Sequence, residues 1–298
     1  MGCPDWPKCF GQWVPPISVN ELPPNYKEQY ASYRQKKNIT FSRYLSLIGL
    51  TETSQKILED KSITVEADFN PFKTIVEYLN RLAGVIIGFM IIALFVASWN
   101  IRKTSPKLFI GSLLALLLVI IQGWFGSIVV STNLTTWTIT VHMFLALIII
   151  AILVWLSVRS GAYSIVKSDG IKRWVVLGIV VLMIQIFLGT QVRETLDVLA
   201  LTFARSEWIP NAGVDFIFHR TFSWIVILIS VIVWIKLRKT SAEKSLIVVP
   251  FVLVLCSVLT GAVMAYFAVP SVLQPVHLLL AVVTFGWLFQ VYLQLNNR

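Results

Sequence analysis

The sequence predicts an all-α polytopic membrane protein made of two tandem, pseudo-symmetric helix bundles, and three observations carry that prediction. The 298 residues are 56% hydrophobic and only 13% charged, a balance foreign to a water-soluble globular chain. Seven apolar stretches are each long enough to cross a hydrocarbon core of about 30 Å, which takes roughly 20 helical residues. Short motifs in the first and second halves of the chain repeat at an almost constant offset.

The chain opens with a polar segment, residues 1–74. Pro15-Pro16 and Pro23-Pro24 interrupt regular structure near its start. Beyond them Tyr26, Tyr30 and Tyr33, then Tyr44, Leu45 and Ile48, recur at helical spacing and predict short amphipathic helices lying over the bundle. The predicted spans follow at Ile75–Trp99, Leu108–Val130, Thr138–Val158, Trp174–Glu194, Gly213–Ile235, Ser245–Phe267 and Val272–Leu295. They must be helices, because each backbone amide in lipid has to be satisfied within its own segment. Trp99, Trp137, Trp174 and Trp234 fall at span ends, where an aromatic belt belongs.

The net charge of +10 is distributed in a way that argues against nucleic acid. Arg102, Lys103 and Lys107 share one loop, Arg159, Lys167, Lys172 and Arg173 the next on that side, and Lys236, Arg238, Lys239 and Lys244 the third; Arg298 ends the chain. Apart from Arg205, the alternate loops are nearly free of Lys and Arg. The positive-inside rule therefore makes the basic loops and the C-terminus cytoplasmic and residues 1–74 extracytoplasmic. That segment holds nine basic and eight acidic residues with no export signal ahead of them, so a further apolar helix is expected upstream of residue 1.

Val141-His142-Met143-Phe144-Leu145-Ala146 matches Val276-His277-Leu278-Leu279-Leu280-Ala281 at an offset of 135, and Asn80-Arg81 matches His219-Arg220 at 139. Residues 75–158 and 213–295 thus read as parallel copies of a three-helix unit. The expected organisation is an outer segment (1–74), a first transmembrane half (75–158), a cytoplasmic linker (159–173) and a second half (174–298).

His142, His219 and His277 are the only histidines. Each lies a few residues inside the outer end of an apolar span, at corresponding positions of the repeat, and Asn80 occupies the fourth such position. Imidazoles in a dry helical bundle are the usual axial ligands of haem iron. His219 and His277 are expected to form a bis-histidine pair in the second half, and His142 to face Asn80, a poor iron ligand, in the first. Zinc would want more ligands than two histidines. Glu77 shares the Asn80 face by i,i+3 spacing; it marks a site or pairs with Arg81. Arg81, Arg193 and Arg220 either meet haem propionates or anchor the interface. Cys3 and Cys9 favour a disulfide in an oxidising compartment, their Cys-x5-Cys spacing being wrong for a metal knuckle. Cys256 reads as a small buried apolar residue.

Cys3-Pro4-Asp5-Trp6-Pro7-Lys8-Cys9-Phe10-Gly11 followed by Glu77-Tyr78-Leu79-Asn80-Arg81-Leu82-Ala83-Gly84 resembles the heme A synthase family. Val141-His142, Phe218-His219-Arg220 and Val276-His277 match its remaining helix signatures, in order, over essentially the whole chain. The resemblance implies eight helices in two four-helix halves, and oxidation of the C8 methyl of heme O to a formyl group for cytochrome c oxidase biogenesis. It implies a haem b on His219 and His277, contact of His142 with the substrate haem, Glu77 as the catalytic carboxylate, and a cysteine pair at Cys3 and Cys9. Asn80 departs from the family pattern, which usually has His there.

The implied setting is a bacterial inner membrane. The implied partners are heme O, membrane lipid, heme O synthase and oxidase assembly factors, with room for a homo-oligomer and none for nucleic acid. Two other classes use the same histidines: a non-catalytic haem-binding assembly protein, and a di-haem cytochrome b-type electron carrier. The latter should have two complete bis-histidine pairs, which Asn80 denies it. The loop charges also make a direct prediction. Reporter fusions at Lys239 and Arg298 should read cytoplasmic and one at Asn133 external; an external signal at Lys239 would overturn the topology.

Overall fold

A computed structural model describes residues 2–66, 68–162, 166–167 and 170–296. Arg298, read above as cytoplasmic, and residues 163–165, 168 and 169 of the expected linker lie outside the described residues. The described chain is nearly all helical: α1 (Tyr26–Leu47), α2 (Thr51–Glu59), α3 (Pro71–Ser98), α4 (Pro106–Ser131), α5 (Thr136–Ser157), α6 (Ile171–Leu199), α7 (Trp208–Asn211), α8 (Gly213–Leu237), α9 (Lys244–Tyr266) and α10 (Leu273–Gln294). Two-residue strands β1 (Val166–Lys167) and β2 (Leu295–Asn296) pair in parallel. Helices α3, α4, α5, α6, α8, α9 and α10 are long and apolar enough to cross a membrane. Their ends fall within five residues of the expected spans.

Where the ends differ, local chemistry explains it. Helix α3 begins ahead of Ile75 because the Asn70 side chain accepts the Lys73 amide and Pro71 occupies the first turn, where its missing N–H costs nothing. Helix α6 runs past Glu194 to Leu199, supported by an Arg193–Asp197 ion pair one turn apart and by the Thr195 hydroxyl on Asp215. Polar pairs of that kind sustain a helix after its apolar run has ended.

Contacts divide the chain into two compact units, Met1–Ala146 and Leu147–Arg298. In the first, α1 is one 22-residue helix rather than several short ones. Its buried stripe is Tyr26, Tyr30, Arg34, Asn38, Phe41, Ser42 and Leu45, which corrects the aromatic stripe expected from sequence. Tyr44 and Ile48 are exposed, and Tyr33 lies beside the stripe with its hydroxyl on the Trp6 carbonyl. Apolar periodicity missed the true stripe because three of its members, Arg34, Asn38 and Ser42, are polar. Arg34 is fully buried, ion-paired with Glu66 and donating to the Ile63 and Val65 carbonyls. Burial brings its pKa down to about 10, so it stays charged at neutral pH and needs that carboxylate. Asn38 donates to the Ser131 carbonyl at the end of α4, while Phe41, Leu45, Ile57 and Ile63 pack on Ile128.

The core of the second unit is aliphatic: Ile171, Val175 and Val181 of α6 meet Val226, Ile229 and Val233 of α8, with Leu246 and Val254 of α9 and Val291 of α10. The two units also share a turn. Helix α4 ends with Asn133 and Leu134 in the left-handed region and the Leu134 amide on the Val129 carbonyl. Helix α9 ends the same way with Ala268 and Val269, the Val269 amide reaching Met264. Both are Schellman-type ends, 135 residues apart like His142 and His277.

The buried Arg34–Glu66 pair generates a prediction. Glu66→Leu alone should destabilise the packing of the outer segment by about 3–5 kcal/mol, because it strands a buried cation. Arg34→Met combined with Glu66→Leu should recover most of that loss. Thermal unfolding of the detergent-purified chain measures both, and equal losses in the single and double variants would contradict the pairing.

Candidate functional site

The second unit brings His219 and His277 together. Their ring centroids are 6.3 Å apart with the planes at 69°. A metal–imidazole nitrogen distance is about 2.0–2.1 Å, so two imidazoles on opposite sides of one metal ion stand roughly 6–6.5 Å apart between centroids. The separation is one at which His219 and His277 could both hold a single metal centre. Among the described residues no three His, Cys, Asp or Glu converge.

Each ring lies against a glycine on the preceding long apolar helix. A Cβ at Gly189 of α6 would stand 3.3 Å from Cε1 of His219, and one at Gly261 of α9 would stand 3.2 Å from Cε1 of His277. In the first unit a Cβ at Gly126 of α4 would stand 3.4 Å from Cε1 of His142. Small residues let membrane helices approach closely; here they let an imidazole edge come close to the neighbouring backbone. One turn before two of these glycines, Gln122 and Gln185 donate to the backbone carbonyls of His142 (3.0 Å) and His219 (3.1 Å). The Gln185 amide nitrogen also lies 3.2 Å from Nδ1 of His219. In α9 the Thr260 hydroxyl oxygen is 3.0 Å from Nδ1 of His277.

These residues escaped the sequence reading, although a signal was present. Gln122-x3-Gly126, Gln185-x3-Gly189 and Ser257-x3-Gly261 put a polar residue one turn ahead of a glycine in three apolar helices. A polar side chain in such a helix calls for a partner.

His142 is held differently. Phe125 stacks on its ring at 6.4 Å and 19°, and its Nδ1 is buried without a hydrogen-bond partner. Asn80 is exposed on α3, and among the described residues no hydrogen bond joins it to His142.

Glu77 and Arg81 are tied to the outer loop. Cys3 and Cys9 are disulfide-bonded, and the loop they close sits on the start of α3. One Glu77 oxygen accepts the Gly2 and Cys3 amides at 2.8 and 3.2 Å, and the other accepts Arg81 at 2.8 Å. Arg81 also donates to the Asp5, Lys8 and Cys3 carbonyls at 2.7, 2.9 and 3.1 Å. Buried Asp5 closes the loop from within by accepting the Phe10 and Gly11 amides. Phe10 then packs edge-on against Tyr26, Tyr30 and Phe69. Burial pushes the Tyr30 hydroxyl up to about 12, with Asp5 adding to the effect, so it stays neutral in that cluster.

At the matching positions the second unit has Phe216 and Arg220, where the cation lies 5.6 Å over the ring. The acid is thus peculiar to the first unit. Arg193 is exposed and bound to Asp197 and to the Gln274 side chain. Cys256 is a free, half-buried thiol.

The family model described as cytochrome oxidase assembly protein matches residues 48–289, which include Glu77 and all three histidines. The chain belongs to this family. The Cys3–Cys9 loop precedes the matched region. Among its relatives, the heme A synthase of Halalkalibacterium halodurans is 26% identical over 64% of this chain and 70% of its own length. That of Wolbachia sp. subsp. Brugia malayi is 23% identical over 80% of each chain, and that of Shouchella clausii 23% identical over 60% of this chain and 64% of its own length. No solved structure matches.

The clamp on the loop can be tested directly. Hydrogen bonds to a charged group contribute about 1.5–3 kcal/mol each. Glu77→Gln and Arg81→Met should each speed tryptic cleavage after Lys8 in the oxidised protein. A rate unchanged in both variants would show that the two side chains do not hold the loop.

Proposed function

We propose that the protein acts as a heme A synthase, oxidising the C8 methyl of heme O to a formyl group in the membrane for cytochrome oxidase assembly. The observation that carries this reading is the His219–His277 pair at 6.3 Å in a chain whose relatives are named heme A synthase. The net change, methyl plus water to formyl with release of four protons and four electrons, requires an electron sink. A haem b held by His219 and His277 would relay these electrons one at a time to an external electron acceptor such as a quinone or dioxygen. Gly189 and Gly261 leave space for the two rings, and Gln185 and Thr260 hold them.

In this reading the first unit takes the substrate. His142, with no partner on Nδ1, contacts heme O, and Glu77 is the carboxylate beside it. A proton-accepting or water-orienting role needs hydrogen-bond reach of the substrate. The carboxylate's ties to Gly2, Cys3 and Arg81 couple it to the disulfide loop, whose pairing in the cell belongs to the same proposal. So do the inner-membrane location, the extracytoplasmic outer segment, the division into a substrate half and a haem b half, and partnership with heme O synthase and oxidase assembly factors.

A second reading has its own support. Asn80 is exposed and, among the described residues, makes no hydrogen bond to His142, and both Glu77 and Arg81 anchor the loop. A haem-binding assembly protein without catalysis would tolerate all of this.

Haem extraction separates the two. Cells making heme O synthase together with this protein should accumulate heme A, and Glu77→Gln should shift the yield to heme O or a hydroxylated intermediate. Persistent heme O alone, from protein that retains a haem b spectrum, would leave the assembly reading. His219→Ala and His277→Ala should each abolish the low-spin spectrum while His142→Ala keeps it; an unchanged spectrum in both of the first two would remove the haem b assignment.

A further inference from the structure

We infer that Thr260 is a positioning residue for His277, fixing the ring so that Nε2 is the nitrogen free to bind iron; this rests on the haem reading above. The Thr260 oxygen lies 2.9 Å from the Cys256 and Ser257 carbonyls and 3.0 Å from Nδ1 of His277. A hydroxyl has one hydrogen and two lone pairs. With the hydrogen on a carbonyl of its own helix, a lone pair of the oxygen accepts Nδ1–H. His277 then has its hydrogen on Nδ1 and a lone pair on Nε2, the form a metal-binding imidazole needs.

Gly261 contributes the other half of the arrangement. A Cβ there would stand 3.2 Å from Cε1 and 3.7 Å from Nδ1, so the ring reaches the hydroxyl only across bare backbone. The repeat provides an internal comparison. Phe125 occupies the position matching Thr260; it stacks on His142, whose Nδ1 has no partner. The same helix position gives a hydrogen-bond acceptor to one histidine and an aromatic face to the other. The second unit is thereby built to retain its group, and the first to let one come and go.

An acceptor on Nδ1–H makes imidazole a stronger donor and favours ferric iron. The test titrates the full-length apoprotein in detergent with ferric protoporphyrin IX, then measures the midpoint potential of the bound haem. Thr260→Val preserves shape and removes the hydroxyl; Thr260→Ser restores a hydroxyl without the methyl. Thr260→Val should bind about 10- to 100-fold more weakly and shift the potential positive, and Thr260→Ser should return both towards wild type. Equal impairment in the two variants would reduce Thr260 to packing and overturn the inference. Wild-type affinity and potential in Thr260→Val, with the low-spin band lost in His277→Ala, would overturn it while leaving the haem reading intact. A low-spin band that survives His277→Ala would overturn both.

Discussion

The arrangement of the candidate site depends on one constraint: a polar imidazole inside an apolar helix pair must find both space and a partner. A buried, unpaired polar group costs roughly 1–3 kcal/mol, and a Cβ at the contact would crowd the ring at 3.2–3.4 Å. Glycine at 126, 189 and 261 supplies the space. Gln122, Gln185 and Thr260 supply the hydrogen bonds, two to histidine carbonyls and one to a ring nitrogen. The repeat has kept the space in every case and varied the partner. That variation separates a unit whose rings are held from one whose ring is not.

A second polar problem is solved where residues 1–74 meet the ends of α3 and α4. Charged and hydrogen-bonding groups stitch the outer segment down: Arg34 on Glu66, Asn38 on the end of α4, and Glu77 with Arg81 on the backbone of the disulfide loop. Glu77 and Arg81 sit in the first turns of the helix that also carries Asn80. The loop is therefore tied to the start of α3 through both side chains. This links the Cys3–Cys9 loop to the chemistry proposed for the first unit without requiring the cysteines to touch a substrate.

Much of this was legible in the sequence, for physical reasons. Lipid demands long apolar helices, so the seven spans could be read within a few residues. Three histidines at one depth of a repeat pointed to His219 and His277 before any distance was known. What stayed hidden depends on pairing rather than on pattern. Arg34 and Asn38 look like exposed residues until Glu66 and the Ser131 carbonyl are placed beside them. Arg81 had two readings, and its three loop carbonyls account for the guanidinium in a way no periodicity reveals. The glycines under the rings were visible as letters but not as contacts, since helix adjacency had to be known first. The Asn133–Leu134 and Ala268–Val269 turns were likewise hidden, because neither pair contains the glycine that usually marks a left-handed helix end.

The central claim is that His219 and His277 hold one haem between steeply crossed imidazoles, their planes 69° apart. Electron paramagnetic resonance of the oxidised, purified protein tests this most directly, because low-spin ferric haem reports the angle between its axial rings. The account predicts a strongly anisotropic low-spin signal of the kind given by near-perpendicular imidazoles. An ordinary rhombic low-spin signal from parallel rings, or a purely high-spin one, would contradict it.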